Sequence, residues 1–293
     1  MPVDLPARIW RDILLTAVAP IIWGSTYIVT SELLPPDRPF TAALIRVLPA
    51  GLLLLLLTRQ MPERRNWWRL WVLSFLNIGA FQALLFVAAY RLPGGLAAVL
   101  GAIQPLLVML LAWAVDRRKP GLMALCCAAA GVLGMAVLLL SPRTIFEPIG
   151  IAAALLGAAS MATGVWLTHR WQLGLPVLSL TGWQLVLGGL MLAPVAWLAD
   201  APLTALTPTQ LAAYAYLSGA GALIAYALWF RGVARLPTVA VASLGLLSPL
   251  TAVVLGWALL SQSMTGASLQ GLLVVLASVF GVQCSSTRTR QRR

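Results

Sequence analysis

Residues 91–106 run RLPGGLAAVLGAIQPL, and residues 235–250 run RLPTVAVASLGLLSPL. At a constant offset of 144, Arg91-Leu92-Pro93 matches Arg235-Leu236-Pro237, Leu100-Gly101 matches Leu244-Gly245, and Pro105-Leu106 matches Pro249-Leu250. Trp113 matches Trp257 in the same register. Upstream the offset falls to 138, where Ala50-Gly51 stands against Gly188-Gly189 and Arg46 against Gln184. The chain is a tandem duplication, divided here into residues 1–145 and 146–293.

The composition says where the two copies sit. Sixty per cent of the 293 residues are apolar and 10% are charged, against about 25% charged in a soluble domain. A helix needs about 20 apolar residues to cross the hydrocarbon. Ten such stretches are present, at 11–31, 40–58, 67–89, 95–115, 121–141, 148–168, 176–199, 209–230, 239–260 and 265–284. Period-two alternation of the barrel kind is missing. The expectation is an all-α integral membrane protein with five helices per repeat. Five is odd, so the second copy enters the membrane upside down. The repeat is inverted.

The net charge of +12 raises the question of nucleic acid, and its distribution answers it. With the N-terminus inside, sixteen Lys and Arg fall on inner segments, from Arg8 and Arg11 to Arg290, Arg292 and Arg293. Only Arg38, Arg91 and Arg143 fall outside. That asymmetry places both ends in the cytoplasm of a plasma membrane and gives the charge a topological role, with lipid contact added and nucleic acid excluded. The first helix has no small-residue cleavage site after it and is read as retained. Cys126, Cys127 and Cys284 lie in apolar stretches near the reducing face, and buried free thiols are expected.

Inverted repeats have a mechanical meaning: two halves that exchange conformations open a central site to each side in turn. That is a carrier's architecture. Trp23-Gly24-Ser25, Arg46 within Ala43-Leu44-Ile45-Arg46, and the Arg91-to-Pro105 stretch resemble the EamA domain, two copies of which build the ten-helix drug/metabolite transporters. The resemblance covers nearly the whole chain. It implies an inner-membrane exporter of small metabolites, similar to the exporters of aromatic and other amino acids. The family's frequent Gly-Glu at the ends of the fourth and ninth helices is replaced here by Val115-Asp116 and Leu259-Leu260.

Candidate substrate-binding residues follow from helical spacing. Trp23, Thr26, Tyr27 and Thr30 share one face of the first helix, and Ser74, Asn77 and Gln82 share an arc of the third with Phe81. In the eighth helix Tyr216, Gly219 and Tyr226 are placed on one face. Trp183 and Gln184 lie a third of the way into the seventh helix, while Gln104 and Ser248 are mates beside Pro105 and Pro249. Each has two readings, cavity lining or helix–helix bonding. Arg46 is the one charge well inside a span; it either grips a substrate carboxylate, caps helix-end carbonyls, or pairs with Glu32 or Asp37. Trp10, Trp67, Trp68 and Trp71 lie at span ends, in the interfacial belt.

The absences shape the function. Glu32 and Asp116 stand at helix ends, His169 closes the sixth helix, and no carboxylate is placed deep in a span. The expected carrier is therefore facilitative, moving neutral, aromatic or hydrophobic amino acids. The alternative is a proton-coupled exporter of drugs or of metabolites such as nucleobases. An enzyme that modifies lipid is remote, since one His and eight scattered acids supply no metal or acid–base cluster. No cofactor is expected, and the partners are a small-molecule substrate and membrane lipid, with the carrier a monomer or a dimer. In a background with Cys126, Cys127 and Cys284 changed to Ser, an impermeant maleimide added to intact cells should label Thr204→Cys and spare Thr289→Cys. The reverse labelling overturns the orientation.

Overall fold

Lipid offers backbone N–H and C=O groups no partner, so a chain this apolar has to satisfy them within helices. The computed structural model obeys that constraint: it describes residues 5–92, 100–117, 119–139, 147–203, 205–260 and 266–291, and among these no strand occurs. Ten helical spans follow one another. They are α1 (Leu5–Leu33), α2 (Pro39–Thr58), α3 (64–91), α4 (Gln104–Ala114), α5 (Leu122–Leu139), α6 (Pro148–Trp171) and α7 (Val177–Ala199). The last three are α8 (Pro208–Arg235), α9 (Thr238–Leu244 continued by Leu247–Leu260) and α10 (Gly266–Gln291). Seven are long and apolar enough to cross a bilayer as described; α4, α5 and α10 have shorter apolar runs. The expected fold, ten helices in two inverted repeats of five, is the fold observed.

Packing between helices repeats in pairs. α1 lies against α8 and α9, and its counterpart α6 lies against α3 and α4. α2 packs along α7, its own mate in the other half, and α5 packs along α10 in the same way. A helix that packs on its own mate lies beside the pseudo-two-fold axis. The molecule is thus built around two such couples.

Glycine permits these couples to close. A Cβ on Gly51 of α2 would stand 2.7 Å from the Val186 nitrogen and 2.8 Å from Leu185 Cβ on α7. A Cβ on Gly271 of α10 would stand 2.6 Å from the Gly134 carbonyl of α5. Close backbone approach is what drives association where lipid removes the hydrophobic incentive. The ends of the α2–α7 couple are also pinned. The Thr41 N–H donates to Asp200 Oδ2 at 2.5 Å, putting an acid at the positive end of α2, and Arg38 Nη2 donates to the Pro202 carbonyl at 3.0 Å. At the other end, the indole N–H of Trp183 and the hydroxyl of Ser179 both donate to the Gln60 carbonyl.

Two local expectations need correction. The three thiols are free, but Cys126 is exposed on α5 and Cys127 and Cys284 are only partly buried, because α5 and α10 are covered mainly by each other. Tyr216 and Tyr226 do not share a surroundings: Tyr216 is 39% exposed and Tyr226 is 1% exposed. A wide turn between them, described below, shifts the helix phase.

The tightness of the α2–α7 couple is open to test. Gly51→Ala forces backbone apart and should lower thermal stability by about 1–3 kcal/mol. Gly121→Ala, with nothing within 4 Å of the added carbon, should leave the melting temperature unchanged or raise it. Equal effects from the two substitutions would contradict the packing described.

Candidate functional site

Two helices carry the same irregularity. In α3 the backbone widens into a π turn at Phe75–Gly79, and in α8 it widens again at Gly219–Ile224. Their starts are 144 residues apart, the offset of the repeat. A π turn adds a residue and pulls carbonyls off their usual i+4 donors, which leaves them open to side chains. That occurs in both copies. In α3 the Leu76 carbonyl accepts from the Ser160 hydroxyl of α6 at 2.8 Å. In α8 the Gly221 carbonyl accepts from the indole N–H of Trp23 on α1 at 2.9 Å.

A second donor reaches the same Gly221 oxygen: Arg46 Nη2 of α2, at 3.2 Å. Arg46 is 3% exposed. One of its bonds therefore goes to a carbonyl in the middle of another helix. The mate of Arg46 is Gln184, and the mate of Gly221 is Asn77. Those two also meet, with Asn77 Nδ2 donating to Gln184 Oε1 at 2.7 Å and to Thr168 Oγ1 at 3.1 Å. The two contacts are one contact made twice. Between them lies a bond from Gln82 Nε2 to the Tyr226 hydroxyl, at 2.5 Å. Gln82 and Tyr226 are mates of each other, so their bond marks the axis.

Around the axis the two halves differ in chemistry. Trp23 packs on Tyr226 with ring centroids 5.0 Å apart and on Trp229 at 5.2 Å, and Phe230 stacks on Tyr226 at 6.0 Å. The positions equivalent to Trp229 and Phe230 in α3 are Leu85 and Phe86. One wall is therefore aromatic and the other is amide-bearing. Several buried polar atoms of this region make no hydrogen bond: Thr26 Oγ1, Gln82 Oε1, Gln104 Nε2, Gln184 Nε2 and Trp229 Nε1. Unspent hydrogen-bonding capacity of this kind, buried beside aromatic rings, is what a polar-and-apolar ligand would use. Among the described residues no group of three or more His, Cys, Asp or Glu is placed to hold a metal ion.

The EamA-like transporter family matches residues 10–140 and again residues 148–283. The chain belongs to this family. Protein PecM of Dickeya dadantii is 42% identical over 277 residues, covering 94% of this chain and 93% of its own. The uncharacterized inner membrane transporter YedA of Escherichia coli is 28% identical, covering 88% and 86%. A WAT1-related chloroplastic protein of Arabidopsis thaliana is 29% identical over 88% of this chain and 66% of its own. A solved crystal structure with 18% identity shares the fold at a TM-score of 0.80, over 95% of this chain and 98% of that one. As a member of the EamA-like family, the chain is a multi-pass membrane transporter.

The structure joins four of the ten candidates, Trp23, Arg46, Gln82 and Tyr226, in one run of contacts, and it pairs Asn77 with Gln184. Gln104 stands at their edge, sharing the open side of Gly245 with the Trp229 ring. Ser248 belongs to the α1–α9 contact, where its carbonyl would meet a Cβ on Gly24 at 2.5 Å. Trp183 is set apart, edge-on to Trp67 at 5.1 Å beside the Gln60 carbonyl. The side chain of Tyr27 lies outside the described residues. Gly221 and Trp229 escaped the sequence reading. The signal for Gly221 was available, since it is the residue 144 positions beyond Asn77.

The axis bond predicts a specific coupling. Tyr226→Phe and Gln82→Leu should each destabilise the protein, because each leaves the other side chain unsatisfied. The double variant should recover part of the loss, with a coupling of about 0.6–1.7 kcal/mol in a double-mutant cycle of unfolding. Strict additivity would mean the two side chains do not act as a pair.

Proposed function

We propose that the chain exports small, neutral, mainly aromatic or hydrophobic amino acids from the cytoplasm by facilitated alternating access, and that it is not an enzyme. The observation that carries this reading is the axial cluster itself. Trp23, Tyr226 and Trp229 offer ring faces, and Arg46 of α2 with the Gly221 carbonyl of α8 offers one donor set and one acceptor side by side. A zwitterion presents the complementary pair, a carboxylate for the guanidinium and an ammonium for the carbonyl. Binding substrate there requires Trp23 and Arg46 to leave Gly221, which links occupancy to the shape of α8.

The repeat supplies the motion. The π turns are weak points in α3 and α8, and they flank the axis in both copies. Ion pairs repeat as well. Arg235 lies 3.5 Å from Asp12 between α8 and α1, and its mate Arg91 lies 3.4 Å from Glu147 between α3 and α6. The first pair is reinforced by Arg231, 2.6 Å from Asp12. Pairs of this kind at opposite ends of the bundle can part and re-form in turn as the halves exchange shapes.

The positions of the carboxylates support facilitated rather than proton-driven exchange. Asp12 is held by Arg231 and Arg235, and Asp116 accepts from Arg170 and, at 2.8 Å, from the Trp166 indole. Neither lies in the axial cluster.

Liposomes preloaded with labelled phenylalanine, at equal pH on both sides, should show saturable efflux that survives a protonophore. Trp23→Ala should reduce that efflux tenfold or more, corresponding to about 1.4 kcal/mol of lost binding, while Trp183→Ala should change it little. Efflux seen only under an imposed pH gradient would overturn the facilitative reading and turn attention to Asp12. No efflux of any amino acid, with a different solute carried, would overturn the substrate class alone.

A further inference from the structure

A second feature lies far from the axis, where the start of α3 faces the turn between α6 and α7. A cleft of about 580 Å³ opens there, lined by Arg65, Trp68, Arg69, Trp171, Gln172 and Gly174 among others. Asn66 holds the two walls together through Nδ2, which donates to the Leu173 carbonyl at 3.4 Å. The charge in the cleft is uneven. Glu63 is its one acid, and it accepts from Arg65 Nε at 2.7 Å. Among the described residues the terminal nitrogens of Arg65 make no bond, and Arg69 Nε is buried without a hydrogen-bond partner. The Arg69 guanidinium instead lies 5.3 Å from the Trp68 ring and 5.8 Å from the Trp171 ring, and those rings meet edge to face at 5.2 Å.

These features share one electrostatic sense. Arg64, Arg65 and Arg69 occupy the first two turns of α3, at the end where the helix dipole is already positive. Cations there are unfavourable unless an anion joins them. Trp68 and Trp71 stand exposed on the same helix end, in the position of residues that lie among lipid headgroups. A planar guanidinium fork matches phosphate oxygens in pairs.

We propose that this cleft binds the phosphate of an anionic phospholipid headgroup, with Arg65 and Arg69 as donors and Trp68 and Trp171 as its walls. The proposal is independent of what the axial site carries. The exposed indoles favour lipid over a free ion, since a soluble phosphate has no use for an apolar rim.

The test uses full-length protein stripped of lipid in a neutral detergent. Unfolding temperature is followed against dioctanoyl phosphatidylglycerol, dioctanoyl phosphatidylcholine and inorganic phosphate. Phosphatidylglycerol in large excess should raise the melting temperature by roughly 5 °C, and the gain should shrink with added salt. Arg65→Gln/Arg69→Gln should abolish the gain, whereas Arg59→Gln, outside the cleft, should keep it. An equal gain from phosphatidylcholine, or one that survives in the double variant, overturns the site. An equal gain from inorganic phosphate overturns the lipid assignment and leaves a free anion as occupant. If the double variant does not fold, quenching by brominated phosphatidylglycerol gives the same decision. The quenched fraction of emission should fall in Trp68→Phe/Trp171→Phe, and an unchanged fraction overturns the proposal.

Discussion

A hydrogen bond between Gln82 and Tyr226, each the other's counterpart in the repeat, fixes where the two halves of this transporter meet. A residue touches its own mate only on a symmetry axis, so every other contact falls into place on either side of that bond. Arg46 with Gly221 is answered by Gln184 with Asn77, and Trp23 on one π turn by Ser160 on the other. Buried amides at this depth are held in place because water is not there to replace a lost partner.

The fold was legible because it rests on two coarse signals, apolar length and duplication. Both survive changes at any single position. The sequence reading also located most of the axial cluster, since Trp23, Asn77, Gln82 and Arg46 are unusual residues within apolar helices. It failed where function passes to the backbone. Gly221 contributes a carbonyl oxygen, which every residue has, and only the widened turn makes that oxygen accessible. Trp183 shows the opposite failure. It looked equivalent to Gln184 beside it, yet successive residues on a helix point about 100° apart, and one faces the axis while the other meets Trp67. The phase of Tyr216 could not be read either, because sequence spacing assumes an unbroken α-helix and α8 has a π turn.

Charge is distributed by the same logic of depth. At helix ends, Asp12, Asp116, Glu147 and Asp200 each meet an arginine or a helix N-terminus. Near the axis Arg46 turns Nη2 to a carbonyl dipole, one of the favourable partners open to a buried cation. The more exposed of the pairs at the ends, Arg91 with Glu147, is weak on its own.

The pairing of glutamine with tyrosine on the axis also bears on how such a chain arises. Were the two halves separate identical subunits, the axis would place the same side chain opposite itself, glutamine on glutamine or tyrosine on tyrosine. Joining the halves in one chain lifts that restriction. Each side of the axis then varies alone, and donor can face acceptor where symmetry would have set like against like. The aromatic wall of Trp229 against Leu85 has the same origin. A fused pair can bind a lopsided solute in one orientation, which a strictly symmetric pair would hold equally well in two.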